Sequence, residues 1–418
     1  MKLAVIGGGS TYTPELVDGI ARTPQLGVDE LVLADPAADR LELIGGLARR
    51  MLAREGHPAR LVTTTDIDQT VEGADVVLIQ LRIGGQAARL VDETFPLACG
   101  CVGQETTGAG GLAKALRTVP VVLDVADRVR RLAAPDAWIV DFTNPVGIVT
   151  RALLDAGHRA VGLCNVAIGF QRWFAELLEV QPSRVRLDHV GLNHLSWERG
   201  VLLDGVDVLP RLLAEHGEGI AERVELPVDV IRRLGVVPSY YLRYFYAHDV
   251  VVRELMTEQP RAARVAEIEQ ELLDLYVDPE LNTKPKLLTE RGGAFYSEAA
   301  LDLVTSLVTD SNDVQVVDVR NNGTVDFLPD DAVIEVPAQV NAQGATPLPL
   351  RARIDPLFGG LMAHTAAYEG LALEAALHGG RDRVFKAMLA HPLIGQIEQA
   401  ERLTDTLLAE NRDYLTWT

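Results

Sequence analysis

The sequence is poor in positive charge relative to negative charge. Its 418 residues include 39 Lys and Arg against 59 Asp and Glu, which gives a net charge of -20. Such a charge repels polyanions at long range, so we expect neither nucleic acid nor an anionic membrane as a partner. An anionic small molecule would have to be held by a few local cations.

Cysteine and long apolar runs are also scarce. Cys99, Cys101 and Cys164 cannot all pair, and we expect free thiols in a reducing compartment, with the first two as packing residues under a loop rather than a redox pair. The sequence has no apolar run of about 18 residues, and MKLAVIGGGS has no apolar signal region. The expected location is therefore the cytoplasm.

What is present is typical of a folded α/β enzyme. Hydrophobic residues make up 48% of the chain and charged residues 23%, without a low-complexity tract, long linker or repeat. The length exceeds what one ordinary core supports, which favours two domains.

The N-terminus predicts a strand, a glycine turn and a helix. KLAVI is followed by Gly7, Gly9, Ser10 and Thr11 and then by the helical TPELVDGIART. Glycines at 7 and 9 let the backbone approach a pyrophosphate at the start of the helix, although the third glycine of the usual fingerprint is missing. The turn is therefore either a dinucleotide site or an ordinary tight turn.

A second apolar run, ELVLADP, ends at Asp35. A carboxylate at the end of this strand can accept hydrogen bonds from ribose hydroxyls, which favours NAD over NADP. Capping the next helix is the alternative, and one side chain can do both.

Further apolar runs, RLVTTT, ADVVLIQL, AWIVDFTNP and RAVGLC, alternate with helical segments such as 112–134. The pattern predicts a doubly wound parallel sheet, and Arg82, Asn144 and Cys164 would share one crevice beyond its strand ends. This half alone also fits a lactate- or malate-type 2-hydroxy-acid dehydrogenase. A non-enzymatic NAD sensor is disfavoured, because a basic DNA-reading helix is absent from the sequence.

A set of motifs along the chain resembles glycoside hydrolase family 4, the NAD-dependent glycosidases. In order they are GGGSTYTPEL, GQETTGAGG, DFTNP, GLCN, GLNHLSW, YLRYF, ERGGAFYS and RNNG. The family is an exception to hydrolysis by two carboxylates. The resemblance implies a glycosidase that requires NAD and a divalent metal, usually manganese.

The resemblance implies Cys164 of GLCN and His194 of GLNH as metal ligands. A thiolate and an imidazole leave most of the coordination of a divalent ion open for substrate oxygens. Taken alone, Cys164 would more often be a small buried hydrophobe and His194 a hydrogen-bonded core histidine. Asn193 and Ser196 beside His194 are polar groups that a plain core strand would not carry.

The implied reaction combines a nicotinamide with a Lewis acid. Hydride transfer from C3 of the sugar to NAD makes the C2 proton acidic, a base removes it, and the aglycone leaves by elimination. Water then adds and the hydride returns. The motif YLRYF assigns the base to Tyr241, although an aromatic cluster at this spacing is more often core. A nearby metal or cation can lower the pKa of a phenol from about 10.

The substrate is predicted as a 6-phospho-β-glucoside. Arg82 and Arg291 of ERGG are the motif-borne candidates for the 6-phosphate, with Asn144 as a further donor; a solvated loop cation and a helix cap are the alternatives. Asn165 after the metal cysteine resembles the 6-phospho-β-glucosidase branch and lacks the acid of the α branch. Ala167 departs from the branch's proline.

We therefore predict an NAD-binding Rossmann-like domain at 1–168 and an α+β catalytic and dimerisation domain at 169–418. From about residue 170 the pattern is mostly helical, with helices in 258–276, 354–377 and 395–411 and strands in QVVDVRNNG and AVIEVPAQV. By the resemblance, the assembly is a homodimer or homotetramer with self-complementary interfaces.

Overall fold

The computed structural model of the protein describes residues 1–293 and 295–417. The first half consists of β1 Lys2–Ile6, α1 Thr13–Ala21, β2 Glu30–Ala34, α2 Ala38–Arg54, β3 Arg60–Thr64, α3 Ile67–Val71, β4 Val76–Ile79, α4 Gly85–Thr94, α5 Gly108–Leu132, β5 Trp138–Asp141, α6 Val146–Asp155, β6 Ala160–Gly162 and α7 Val166–Leu177.

The second half consists of β7 Val185–Leu192, β8 Leu195–Leu203, β9 Val206–Asp207, α8 Leu209–Val224, α9 Val228–Leu234, β10 Val237–Pro238, α10 Arg243–Tyr246, α11 His248–Leu255, α12 Arg261–Tyr276, α13 Tyr296–Thr309, β11 Asp313–Arg320, β12 Val333–Asn341, β13 Gly344–Pro347, α14 Pro356–His378, α15 Arg381–Ala390 and α16 Ile397–Glu410. Short 3-10 helices lie at Pro24–Leu26, Phe95–Cys99, Pro182–Arg184, Tyr240–Leu242, Lys286–Arg291 and Arg412–Tyr414.

The first six strands form the predicted doubly wound parallel sheet, in the order β3-β2-β1-β4-β5-β6. This is the usual strand order of dinucleotide-binding folds. Leu3 and Val5 of β1 pack into one apolar core, and Ala4 and Ile6 pack into another on the opposite face. Burial of both faces explains why the strand is apolar throughout rather than alternating.

The same sheet continues into the second half of the chain. β11 is antiparallel to β6, with Asp318 opposite Gly162, and β12, β7, β8 and β10 follow in that order. The sheet therefore crosses residue 168, where we placed the end of the first domain. The division at that residue remains a prediction.

The predicted helices of the second half correspond to α12, α14 and α16, and the two predicted strands to β11 and β12. The hairpin of β7 and β8 was not predicted in a region expected to be mostly helical. Several consecutive residues of both strands are buried, which removes the alternation that reveals a strand. Among the helices of residues 1–293 and 295–417, none combines the length and apolar character that a membrane span requires.

Candidate active site

A cleft of about 920 Å³ lies beyond the carboxyl ends of the parallel strands. One end is lined by Gly7, Gly9, Ser10 and Asp35, and its lining also includes Tyr241 from the second half of the chain. The volume lies within the range of small-molecule sites. Four of the five predicted cofactor residues therefore share one cavity with the predicted base, and Thr11 lies outside its lining.

The turn after β1 needs glycines because neighbouring atoms lie too close to its backbone to leave room for side chains. Gly7 has φ +90°, and a Cβ there would lie 2.5 Å from the carbonyl oxygen of Gln80. A Cβ on Gly9 would lie 2.6 Å from Cγ of Asp35. Thr11 is fully buried, and its hydroxyl accepts a hydrogen bond from Nε of Arg291 at 2.7 Å. Thr11 therefore supports the turn from behind.

Asp35 is held by two backbone N–H groups at the edge of the cleft. Its Oδ1 accepts the N–H of Ala37 at 3.0 Å, next to the start of α2. Its Oδ2 accepts the N–H of Gly9 at 3.1 Å, and the residue lines the cleft. A carboxylate fixed from two sides is oriented to accept hydroxyl groups of a ribose.

The predicted metal ligands lie at the ends of two strands. Cys164 follows β6, and His194 belongs to the two-residue turn between β7 and β8, where its φ is +61°. The hydroxyl of Tyr296 lies 4.0 Å from Sγ of Cys164, and the ring of Tyr241 stacks on His194 with centroids 3.7 Å apart. Cys164 and His194 are buried, whereas the two tyrosines line the cleft.

His194 fits the requirements of a metal ligand. Its Nδ1 is within 2.9 Å of the Thr106 hydroxyl, whereas its buried Nε2 has no hydrogen-bond partner within the described residues. Burial lowers its pKa to about 4, so the ring is neutral and Nε2 is able to donate a lone pair. A cluster of three or more His, Cys, Asp or Glu that could hold a metal is absent from residues 1–293 and 295–417. Cys164 and His194 therefore remain the two predicted ligands.

The protein's own groups do not activate Cys164 or Tyr241. Burial raises the pKa of the Cys164 thiol well above its usual range, and Glu335 raises it further. Burial, followed by the charges of Cys164 and Glu105, also raises the pKa of Tyr241. A lowered phenol pKa would have to come from a bound cation.

A buried charge cluster beside the tyrosine was missed in the sequence. Glu105 accepts from Nζ of Lys114 at 2.6 Å and also pairs with Arg82 and Arg89. Burial would raise the pKa of Glu105, but the three cations outweigh it and hold the pKa well below its usual range. A lysine within the apolar helix segment GLAKAL was the signal that could have revealed the cluster.

The predicted substrate residues occupy different parts of the cleft. Arg82, Asn144 and Asn165 line it, and Asn165 is the residue before α7. Arg291 lies at the glycine turn, where Nη2 is 3.3 Å from the Ser10 hydroxyl and pairs with Glu269 at 2.9 Å. Its predicted contact with a sugar phosphate remains a prediction.

Arg261 is a further cation that the sequence did not single out. It lines the cleft, and its Nη2 donates to the carbonyl of Glu290 at 2.8 Å. Within the described part of the chain it forms no salt bridge with a carboxylate, unlike Arg82, Arg89 or Arg264. It is therefore available to an anionic ligand.

Family models match nearly the whole chain. The family 4 glycosyl hydrolase model covers residues 2–180, and the model of the family 4 glycosyl hydrolase C-terminal domain covers residues 189–394. The chain belongs to glycosyl hydrolase family 4. The predicted resemblance is confirmed.

Relatives of this family 4 chain are similar over their full lengths. The probable 6-phospho-beta-glucosidase of Bacillus subtilis is 39% identical over 99% of this chain and 97% of its own. The 6-phospho-beta glucosidase of Thermotoga maritima with NAD and glucose-6-phosphate is 34% identical, with a TM-score of 0.93 and 99% of both chains covered. Its structure with manganese, NAD+ and glucose-6-phosphate is 33% identical, with a TM-score of 0.92 and the same coverage.

Proposed function

We propose that the protein hydrolyses 6-phospho-β-glucosides to glucose 6-phosphate and the aglycone, with NAD and a divalent metal, Mn²⁺, as cofactors. The observation that carries the proposal is the unpartnered Nε2 of His194 next to Tyr241, in a cleft that begins at the glycine turn. The names and ligands of the family relatives support the same activity. They do not favour the 2-hydroxy-acid dehydrogenase.

The cofactor end is formed by the glycine turn and Asp35. Gly7 and Gly9 admit the cofactor's phosphates to the backbone, Ser10 and Thr11 precede the first helix, and Asp35 accepts the ribose hydroxyls. When bound, NAD supplies a hydride acceptor for C3 of the sugar, and the metal supplies Lewis acidity toward the sugar oxygens.

The chain's own residues then handle the proton and the substrate. Cys164 and His194 hold the metal, and Tyr241 removes the proton from C2. Asn165 lines the cleft without a carboxylic acid, in keeping with a β-linked leaving group. Elimination of the aglycone, addition of water and return of the hydride to C3 complete a hydrolysis in which NAD is regenerated.

We assign the sugar phosphate to the arginine-rich part of the cleft. Arg82 and Arg89 lie on either side of Glu105, and Arg261 has no carboxylate partner within residues 1–293 and 295–417. Guanidinium groups bind phosphate through two parallel hydrogen bonds. Asn144, which also lines the cleft, adds an amide.

Release of p-nitrophenol from p-nitrophenyl β-glucoside 6-phosphate tests the proposal. We expect release only with both NAD and Mn²⁺, without accumulation of NADH, and little release from the α-linked or unphosphorylated compound. Accumulation of NADH without release would instead indicate a dehydrogenase. Release that ignores both cofactors would indicate an ordinary acid–base hydrolase.

The remaining expectations are proposals of the same kind. We propose a homodimer or homotetramer, which light scattering on the purified protein tests, and a cytoplasmic location, which cell fractionation tests. The division into 1–168 and 169–418 is tested by expressing the first segment alone and measuring NAD binding.

A further inference from the structure

The pairing of strands places a buried glutamate behind both proposed metal ligands. Glu335 on β12 pairs with Gly191 of β7, three residues before His194. On its other side β11 separates it from Gly162 of β6, two residues before Cys164. Glu335 therefore lies on the strand next to β7, which leads to His194, and two strands from β6, which leads to Cys164.

Glu335 is bonded to the turn that carries His194. Its Oε2 accepts from Nδ2 of Asn193 at 3.1 Å, and Asn193 and His194 are the two turn residues between β7 and β8. Its Oε1 is 2.8 Å from Nε2 of His189, whose Nδ1 is 2.7 Å from Glu198. His189, Glu198 and Glu335 are at most 1% exposed. His189 thus holds one oxygen of the Glu335 carboxylate in place while the other oxygen binds the turn.

Glu335 shares a buried histidine with a second carboxylate. Burial would lower the pKa of His189, but Glu198 and Glu335 outweigh it and raise the pKa to about 10, so His189 is a cation between the two carboxylates. The neighbouring Asp318 has no hydrogen-bond partner for either carboxylate oxygen within the described residues. Burial and Glu335 raise the pKa of Asp318 well above its usual value, which disfavours its charged form.

We infer that Glu335 is a positioning residue for the divalent cation: it anchors the turn at Asn193 and supplies a buried negative charge behind Cys164 and His194. The inference rests on the proposed metal site. Groups that orient metal ligands from behind change metal affinity about 10- to 100-fold when they are replaced. We expect no such change in metal affinity from replacing an acidic residue that does not contact the turn.

Binding of Mn²⁺ alone, measured by the electron paramagnetic resonance of free Mn²⁺, tests this in the full-length protein. We expect Glu335→Gln, which keeps the size and removes the charge, to weaken binding about tenfold or more. Asn193→Ala cuts the same hydrogen bond without changing a buried carboxylate, so it tests the idea even if Glu335→Gln fails to fold. Asp318→Asn is the matched control and should retain affinity within about twofold, because it removes no hydrogen bond to the turn.

Unchanged Mn²⁺ binding in Glu335→Gln and Asn193→Ala would overturn the inference while leaving the metal site intact. Equal weakening in Asp318→Asn would also overturn it, because replacing either buried acidic residue, Asp318 or Glu335, would then be enough to weaken Mn²⁺ binding. A parent protein that does not bind Mn²⁺ would refute the proposed metal site itself, together with the inference. A thermal unfolding curve of each variant without metal separates loss of folding from loss of binding.

Discussion

Replacing Gly9 by alanine separates the proposed cofactor site from an ordinary tight turn. The backbone at Gly9 lies outside the left-handed region, so alanine can adopt it without strain. The added Cβ would lie 2.6 Å from Cγ and 2.7 Å from Oδ2 of Asp35, whereas ordinary contact begins near 3.4 Å. The carboxylate must therefore withdraw, while the rest of the turn can stay in place.

The size of the effect follows from the hydrogen bonds of Asp35. A withdrawal of about 0.8 Å takes Oδ2, now 3.1 Å from the N–H of Gly9, beyond hydrogen-bonding range and moves it away from the ribose position. Hydrogen bonds to charged groups contribute about 1.5–3 kcal/mol. Since about 1.4 kcal/mol corresponds to a factor of ten, NAD affinity should fall roughly 10- to 150-fold.

Titration calorimetry with NAD measures this, with two further glycines as controls. Gly46→Ala, on α2 with its nearest atom at 3.5 Å, should bind NAD like the parent. Gly8→Ala would meet the backbone and Cβ of Leu33 at 3.0 and 2.7 Å, so it should lower thermal stability instead. NAD binding of parent strength in Gly9→Ala would refute the role of Asp35, as would equal weakening in Gly46→Ala.

Two further predictions concern the site, and a third concerns the stability of the fold. Tyr241→Phe should lower aglycone release at least about 100-fold while NAD binding by calorimetry is retained, because a general base is lost; near-normal release would assign the base elsewhere. Arg261→Gln should raise KM for the phosphorylated glucoside about tenfold with little change in kcat. Arg264 already pairs with Glu267, so Arg264→Gln should change KM less; equal effects of the two substitutions would indicate that the overall positive charge of the cleft, and not Arg261 itself, attracts the phosphate. Burial raises the pKa of Asp141 to about 8, so the stability it contributes below its ordinary pKa of 3.8 is lost as pH rises toward 8. Between pH 6 and 7 the free energy of unfolding should fall by about 1.4 kcal/mol from this group alone, and Asp141→Asn should remove that slope in urea titrations; an unchanged slope would contradict it.

The parallel half of the fold was predictable because its signals are local. Continuous apolar runs such as β1 are buried on both faces. The turn after β1 needs glycine because a side chain there would collide with Asp35. The pair Cys164 and His194 came from the family motifs rather than from spacing. The hairpin that carries His194 was hidden because its strands are buried along most of their length, so the sequence does not alternate there.

The charge clusters were not predictable, because they join residues that are distant in sequence. Glu105 meets Arg82 and Lys114 from different elements, and Arg291 reaches the turn at Ser10 from 281 positions away. A list of charged residues does not reveal such pairs, since most charged side chains are solvated. The structure shows Arg291 in contact with the glycine turn and Arg261 in the lining of the cleft.

These clusters show how a protein of net charge -20 could accommodate the two anionic molecules of the proposed reaction in one cleft. At the glycine turn, one carboxylate, Glu269, holds both Arg40 and Arg291 in place, and these two cations together offset Glu269 and the nearby Asp35. Toward Tyr241, Glu105 is shared by three cations, and within the described residues only Arg89 among them has a second carboxylate, Glu93. Each carboxylate holds its cations in place without neutralising them all, so the guanidinium groups are already oriented when a phosphate arrives. Local pairing therefore sets the sign of the cleft independently of the net charge of the chain.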